Sequence, residues 1–307
     1  MSLESFLEAL TEDPDEVDVA DFVEASGLLP EELIVFARAW FGFTVENQRW
    51  IIATMAELAE DSSELDFSAV FRMCLRDKDE EVLEKAIEGL WEDEDRTIVP
   101  GLIQVLHSDK SPQVRAVAAM ALGKFPALVQ EGKLLAKDGD SILESLMTIL
   151  KDPAQPSEVI RRSLEAVAPF NTPDIRRLVT TAYKGDDLLL KCSSIYAMGR
   201  TGEAGMLPVI IKEMRNAEPS IRYESAHACG ELGEEDAVPH LVALLEDDDT
   251  QVQLAGISAL GKIGGPLAKK VLVNCAKDGD AVLEEAARTE LENIEFMEDP
   301  MAFGSEI

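Results

Sequence analysis

The 307-residue sequence predicts an all-α fold, a stack of α-hairpins, on three observations. One motif recurs along the chain at intervals of about thirty residues. Within each copy the apolar and small residues follow helical spacing. No stretch shows the strict apolar–polar alternation of a half-buried strand.

The copies begin at an apolar anchor: "VLEKAIEGLW" from Val82, "VRAVAAMALGKF" from Val114, "VIRRSLEAVAPF" from Val159 and "LKCSSIYAMGRTG" from Leu190. They continue with "IRYESAHACGELG" from Ile221, "VQLAGISALGKIG" from Val252 and "VLEEAARTELENI" from Val282. The anchors stand 32, 45, 31, 31, 31 and 30 residues apart, and a blurred earlier copy starts near Ile51. Four residues after each anchor the residue is small (Ala86, Ala118, Ser163, Ser194, Ser225, Gly256, Ala286), and seven after it is usually small too. Positions 0, 4 and 7 share one helical face, and small side chains there let a neighbouring helix come close. Gly123, Gly199, Gly230 and Gly261, nine after the anchor, are expected to make left-handed C-terminal turns.

A second apolar helix follows each first one, as in "TIVPGLIQVLH", "AGMLPVIIKEM" and "DAVPHLVALLE". Pro100, Pro208 and Pro239 fall near its start, where the missing N–H is harmless. Acidic turns such as "EDDDTQ" supply N-caps. Each hairpin is too small to bury its own apolar face, so the units must stack.

These anchors, best seen in "SPQVRAVAAMALGKF" (111–125) and "PSIRYESAHACGELG" (219–233), resemble HEAT repeats, in particular the short HEAT-like repeats of phycobilisome bilin lyases. The resemblance covers about residues 50–295. It implies a right-handed α-α superhelix, a HEAT-like solenoid of about seven to eight helical hairpins. It further implies that the second helices line a concave side, and the family it points to includes scaffolds, adaptors and a few enzymes. Residues 45–295 are assigned to the solenoid. Residues 1–44, which depart from the repeat and hold eleven acids and one base, are assigned to an acidic N-terminal helical cap; the alternative is a dimerisation or partner-docking element. The long 45-residue interval carries an insertion at 125–140, with Leu128, Val129, Leu134 and Leu135 available to pack a short added helix. Residues 296–307 are expected to form a loose tail.

Composition narrows function. Sixty acids against 28 bases give a formal charge of −32, which opposes phosphate neutralisation and argues against nucleic acid and anionic membrane surfaces as partners. Cys74, Cys192, Cys229 and Cys275 form no CxxC pair, so no zinc knuckle or dithiol motif is present. The acidic N-terminus has no basic segment of a secretory signal, and the apolar run 33–43 is too short to span a bilayer; cytoplasm is the expectation.

Three histidines are the scarce residues, and His227 lies two from Cys229. Register decides the pair. Position eight holds Leu90, Leu122, Val167, Met198, Cys229, Leu260 and, in the last copy, Glu290, so Cys229 is expected in the core. Position six holds Glu88, Met120, Glu165, Tyr196, His227 and Ser258, a variable and partly exposed place. The HEAT-like metal hydroxylases hold iron with His–Glu pairs, whereas His107, His227 and His240 are followed here by Ser108, Ala228 and Leu241. No metal, cofactor, phosphate loop or nucleophile–base set is expected.

The unusual feature is charge. Six second-helix windows (98–107, 142–151, 175–184, 206–215, 237–245, 267–276) contain two acids, Glu144 and Glu213, and eight bases. Lys151, Arg177, Lys184, Lys212, Arg215, His240 and Lys270 are therefore the candidate protein-binding residues, facing an acidic or amphipathic partner segment. Lys151, Lys184 and Arg215 also fall in last helical turns, where a base complements the helix dipole by about 0.3–1 kcal/mol. The reading is a non-catalytic scaffold or adaptor. The alternative is a bilin-lyase-like subunit that handles a small ligand together with a partner protein.

Overall fold

A computed structural model describes residues 2–12, 17–108, 110–278 and 280–298. Among them all regular structure is helical, with no strand. The chain divides into two compact units, Met1–Ser163 and Leu164–Ile307.

The first unit opens with α1 (Leu3–Glu12), a 3₁₀ segment (Val19–Ala25) and α2 (Pro30–Trp40). Their interior is aromatic. Phe6, Phe22, Phe36 and Trp40 are buried, and Phe6 meets Phe22 edge to face at 5.3 Å. Phe22 in turn meets Trp50 at 5.5 Å, on α3 (Val45–Asp61). This tethers the acidic segment to the first helix of the repeats, where Ile51, Ile52 and Met55 are fully buried. The repeats continue as α4 (Ser68–Cys74), α5 (Glu80–Gly89), α6 (Val99–Leu106), α7 (Pro112–Leu122), α8 (Phe125–Gln130), α9 (Ala136–Lys151) and α10 (Ser157–Val167). The insertion builds α8. Its Phe125 and Leu128 are buried with Leu134, while Leu135 stays exposed.

The second unit contains α11 (Pro173–Tyr183), α12 (Leu188–Arg200), α13 (Leu207–Glu213), α14 (Pro219–Leu232), α15 (Val238–Leu244), α16 (Thr250–Ile263), α17 (Gly265–Asp278) and α18 (Ala281–Glu298). Helix α18 runs through the first residues of the expected tail, and 299–307 lie outside the described residues. In chain order, apart from the inserted α8, first and second helices alternate from α3 to α18, and within the units α6 packs on α7, α11 on α12, α13 on α14, α15 on α16 and α17 on α18.

Local chemistry explains the boundaries. Side chains of Asp79, Ser111, Thr172, Asp187 and Asp249 accept from backbone N–H groups at the starts of α5, α7, α11, α12 and α16. Proline occupies the first turn of α6, α13 and α15. Each of these three helices follows a 3₁₀ turn (Arg96–Ile98, Ala204–Met206, Glu235–Ala237). The basic residue next to several anchors is a latch. Arg115 Nε donates to Leu106 O at 2.8 Å, at the end of α6. Arg222 donates to Asn216 O and Ala217 O and forks onto Asp247 at 2.7 Å through two nitrogens.

Two expectations are corrected. The position-nine glycines do not make left-handed turns. Gly123 ends α7 with φ −68°, and no left-handed φ occurs at Gly199, Gly230 or Gly261. The left-handed positions come three residues later, at Gly202, Gly233 and Gly264, with φ +65°, +73° and +64°. Gly199 and Gly230 serve close packing instead. A Cβ on Gly199 would lie 2.6 Å from Ala228 O and 2.7 Å from its Cα, and one on Gly230 would lie 2.9 Å from Ala259 Cα. First helices α12, α14 and α16 therefore touch backbone to backbone through these glycines. The last anchor is also displaced. Val282 is 56% exposed, and Leu283, Ala287 and Ile294 are buried in its place. Asp280 accepts from both Val282 N and Leu283 N, starting α18 so that its packed face falls one residue later.

Candidate functional site

The candidate site is the exposed side of the second helices, and in the second unit four of them contribute. Asp174, Arg177, Thr181 and Lys184 form an exposed stripe at the outer side of α11, spaced by three or four residues. Pro208 and Lys212 do the same on α13 with Arg215 just past its end, Pro239 and Val242 on α15 with Glu246 just past its end, and Pro266, Leu267, Lys270 and Val273 on α17. The opposite faces are buried through Ile175 and Val179, Leu207 and Ile210, Val238 and Leu241, and Ala268 and Leu272. Burial of one stripe thus presents the other to solvent.

Among the described residues Lys184, Lys212, Arg215 and Lys270 are exposed and make no ion pair. Arg177 pairs with Asp174 at 2.9 Å, both largely solvated, a contact worth little. Lys151, the last residue of α9 in the first unit, is likewise exposed without an ion pair. His240 is partly buried and lines a groove.

That groove, about 700 Å³ and open to solvent, lies between α13, α15 and the start of α17. Pro208, Ile211, Val238, Pro239 and Leu267 give it an apolar wall, and Glu235, Asp236 and His240 make part of the lining polar. Acids thus stand at the starts of α11 and α15 and bases at the ends of α11 and α13, whereas α15 is followed by Glu246 and α17 carries Lys270 in its first half. The charge windows missed those acids because they begin just after them. They also missed the apolar lining, because a count of charges does not register Pro208, Ile211, Pro239 and Leu267.

Glu213, the acid counted against the bases of α13, is buried and already engaged. It accepts from Tyr183 Oη at 2.5 Å and Asn216 Nδ2 at 2.6 Å and pairs with Lys191 at 3.2 Å. Burial opposes its charge, yet these donors hold its carboxyl below the usual range, while burial and Glu213 push the Tyr183 phenol up to about 12. The exposed bases of α13 are left without an acid beside them on that helix.

His227 and Cys229 lie apart in function as register expects. Cys229 is fully buried, and burial pushes its thiol up to about 12. His227 is half-buried and stacks on Tyr196 with ring centroids 5.5 Å apart. Its Nδ1 is buried without a hydrogen-bond partner among the described residues. Burial and then the Lys262 charge hold its pKa below the usual value. Among the described residues no three of His, Cys, Asp and Glu converge as metal ligands, and no helix is long and apolar enough to cross a membrane.

Comparison with known structures agrees with this architecture. The chain is similar to the complex of CpcE and CpcF of phycocyanin lyase from Nostoc sp. PCC7120, at 15% identity over 87% of this chain and 95% of that one, with a TM-score of 0.53. It is also similar to human deoxyhypusine hydroxylase (20% identity, 95% of this chain and 96% of that one, TM-score 0.37). An engineered protein matches at 18% identity over 95% of this chain and 90% of that one, with a TM-score of 0.43. No curated protein sequence matches. Residues 68–138 and 207–292, just over half of the sequence, match the model of HEAT repeats. The chain belongs to the HEAT-repeat family.

Proposed function

We propose that this protein is a non-catalytic scaffold or adaptor that binds a segment of another protein on its second-helix face. The observation that carries the reading is the set of exposed bases Lys184, Lys212, Arg215 and Lys270, unpaired among the described residues of a chain with net charge −32. Bases that the fold leaves exposed without an acid, gathered on the second helices of so acidic a chain, are available to an acidic ligand. The apolar wall of the groove at Pro208, Pro239 and Leu267 supplies the desolvated contacts that charge alone does not. An amphipathic segment with carboxylates along one edge fits both.

The test is Lys212→Glu with Arg215→Glu in the full chain, scored by capture of partners from the native cytoplasm. Loss of a captured protein, with the helical circular dichroism unchanged, supports the reading; undiminished capture refutes it. The cytoplasm is the proposed compartment, in keeping with four free cysteines, three of them buried. The second reading, a lyase-like subunit that handles a small ligand with a partner protein, rests on likeness in fold to the CpcE–CpcF complex and on the groove. Ligand-dependent absorbance of the purified protein would select it over the scaffold.

A further inference from the structure

We propose that the outer face of α2 is a second docking surface, and that its occupant is a basic amphipathic helix of a partner protein. Helix α2 buries Phe36 and Trp40. Its exposed residues Pro30, Ile34 and Arg38, followed by Phe41, recur at helical spacing. Ile34 is 55% exposed and Phe41 81%, and Leu29 and Val45 extend the apolar surface at either end. The terminal units of a repeat array ordinarily turn a polar face to water. The neighbouring first helix does so: α1 exposes Glu4, Ser5, Glu8, Thr11 and Glu12. The apolar face of α2 breaks that rule, and exposed apolar patches of this kind mark interaction sites.

Charge selects the occupant. Residues 1–44 carry eleven acids against Arg38 alone, a net charge of −10. On α1, which packs against α2, Glu4, Glu8 and Glu12 are exposed at four-residue spacing without an ion pair among the described residues. Glu31 is exposed at the start of α2 itself. A second copy of the chain would bring two such segments together and be repelled. A helix with a stripe of leucine-like side chains flanked by Lys and Arg meets both the apolar face and its acidic border. Arg38, on the same face, marks the one place where the partner side chain is neutral or acidic. This surface is separate in residues and opposite in charge preference from the second-helix face, so the two stand or fall independently.

The probe is a labelled Leu/Lys amphipathic peptide about 18 residues long, roughly five helical turns. Its binding to the full-length protein is followed by fluorescence anisotropy at physiological salt. An all-Lys peptide of equal charge and a Leu/Glu peptide serve as controls. Ile34→Ser with Phe41→Ser should weaken Leu/Lys binding about tenfold or more and leave all-Lys binding unchanged, as expected for loss of apolar anchors. Glu4→Gln, Glu8→Gln and Glu12→Gln together should weaken it and flatten its salt dependence. Lys212→Glu with Arg215→Glu should leave it unchanged. Equal binding by the Ile34/Phe41 variant, or tighter binding of the Leu/Glu peptide, overturns the proposal. A wild-type dimer in sedimentation that the Ile34/Phe41 variant abolishes overturns it too, by showing a second copy on the face.

Discussion

Gly199→Ala and Gly256→Ala place the same methyl group into two helix interiors of the second unit, and the structure predicts opposite outcomes. In an unobstructed helix, Gly→Ala stabilises by about 1 kcal/mol, because alanine loses less backbone freedom on folding. At Gly256 the added Cβ meets Leu244 Cβ and Leu245 Cδ2 at 3.5 Å, ordinary van der Waals contact. The expected effect there is stabilisation of about 0.5–1 kcal/mol. At Gly199 the Cβ would sit 2.6 Å from Ala228 O and 2.7 Å from Ala228 Cα, which are backbone atoms and cannot rotate away. To restore contact distance, α14 must withdraw from α12 by roughly 0.7 Å or more, and a gap of that size forfeits a quarter to a half of each dispersion contact across it. Overpacking of this kind costs about 1–3 kcal/mol. After the propensity gain of about 1 kcal/mol is subtracted from the middle of that range, Gly199→Ala should destabilise by about 1 kcal/mol, leaving the two variants about 2 kcal/mol apart. Urea unfolding followed by far-ultraviolet circular dichroism measures both, with a comparison of slopes to show that the same surface is exposed. If Gly199→Ala proves as stable as the parent, or both variants lose stability equally, backbone contact is not the reason for the glycine.

Two other perturbations test the packing chemistry. Arg222 is 14% exposed at its side chain, and Arg222→Met removes its fork onto Asp247 and its bonds to two carbonyls. A loss of about 2 kcal/mol is expected by the same unfolding assay, larger than for Arg177→Met, whose partner Asp174 is solvated. For pH, burial holds His227 below its ordinary value of 6.5, so the unfolded chain takes up its proton first. Stability should therefore fall as pH drops below about 6.5, and continue to fall until the folded-state value is passed. The groups facing the ring are Arg200, Glu231 and Lys262, of which only Glu231 favours the charged imidazole. His227→Gln should flatten the melting-temperature profile between pH 7 and pH 5, leaving the part due to His107, whose value burial also lowers. An unchanged slope would show that the His227 environment does not discriminate between protonation states.

The sequence by itself determined the repeat, the helix type and much of the core. A 31-residue period with apolar residues at 0 and 8 and small ones at 4 leaves Val114, Leu122, Ile221, Cys229, Val252 and Leu260 buried, as the register requires. It also resolved His227 and Cys229, because a residue's slot in a repeat is readable from its counterparts. Only the tertiary structure decided what each glycine does. A glycine in a helix pattern signals either a positive φ or a close neighbour, and both look alike in one dimension. Gly202 and Gly233 proved to be turns, and Gly199 and Gly230 backbone contacts. The last register behaved likewise, since Val282 and Leu283 are equally apolar and the start of α18 at Asp280 chose between them. Charge counts along the chain pointed to the second helices. Which bases were already matched depended on side chains brought together from distant positions, as with Glu213, Lys191 and Tyr183. Periodicity is a local property of the chain and can be read from it; ion pairing and backbone approach arise between turns remote in sequence, and appear only when the helices are stacked.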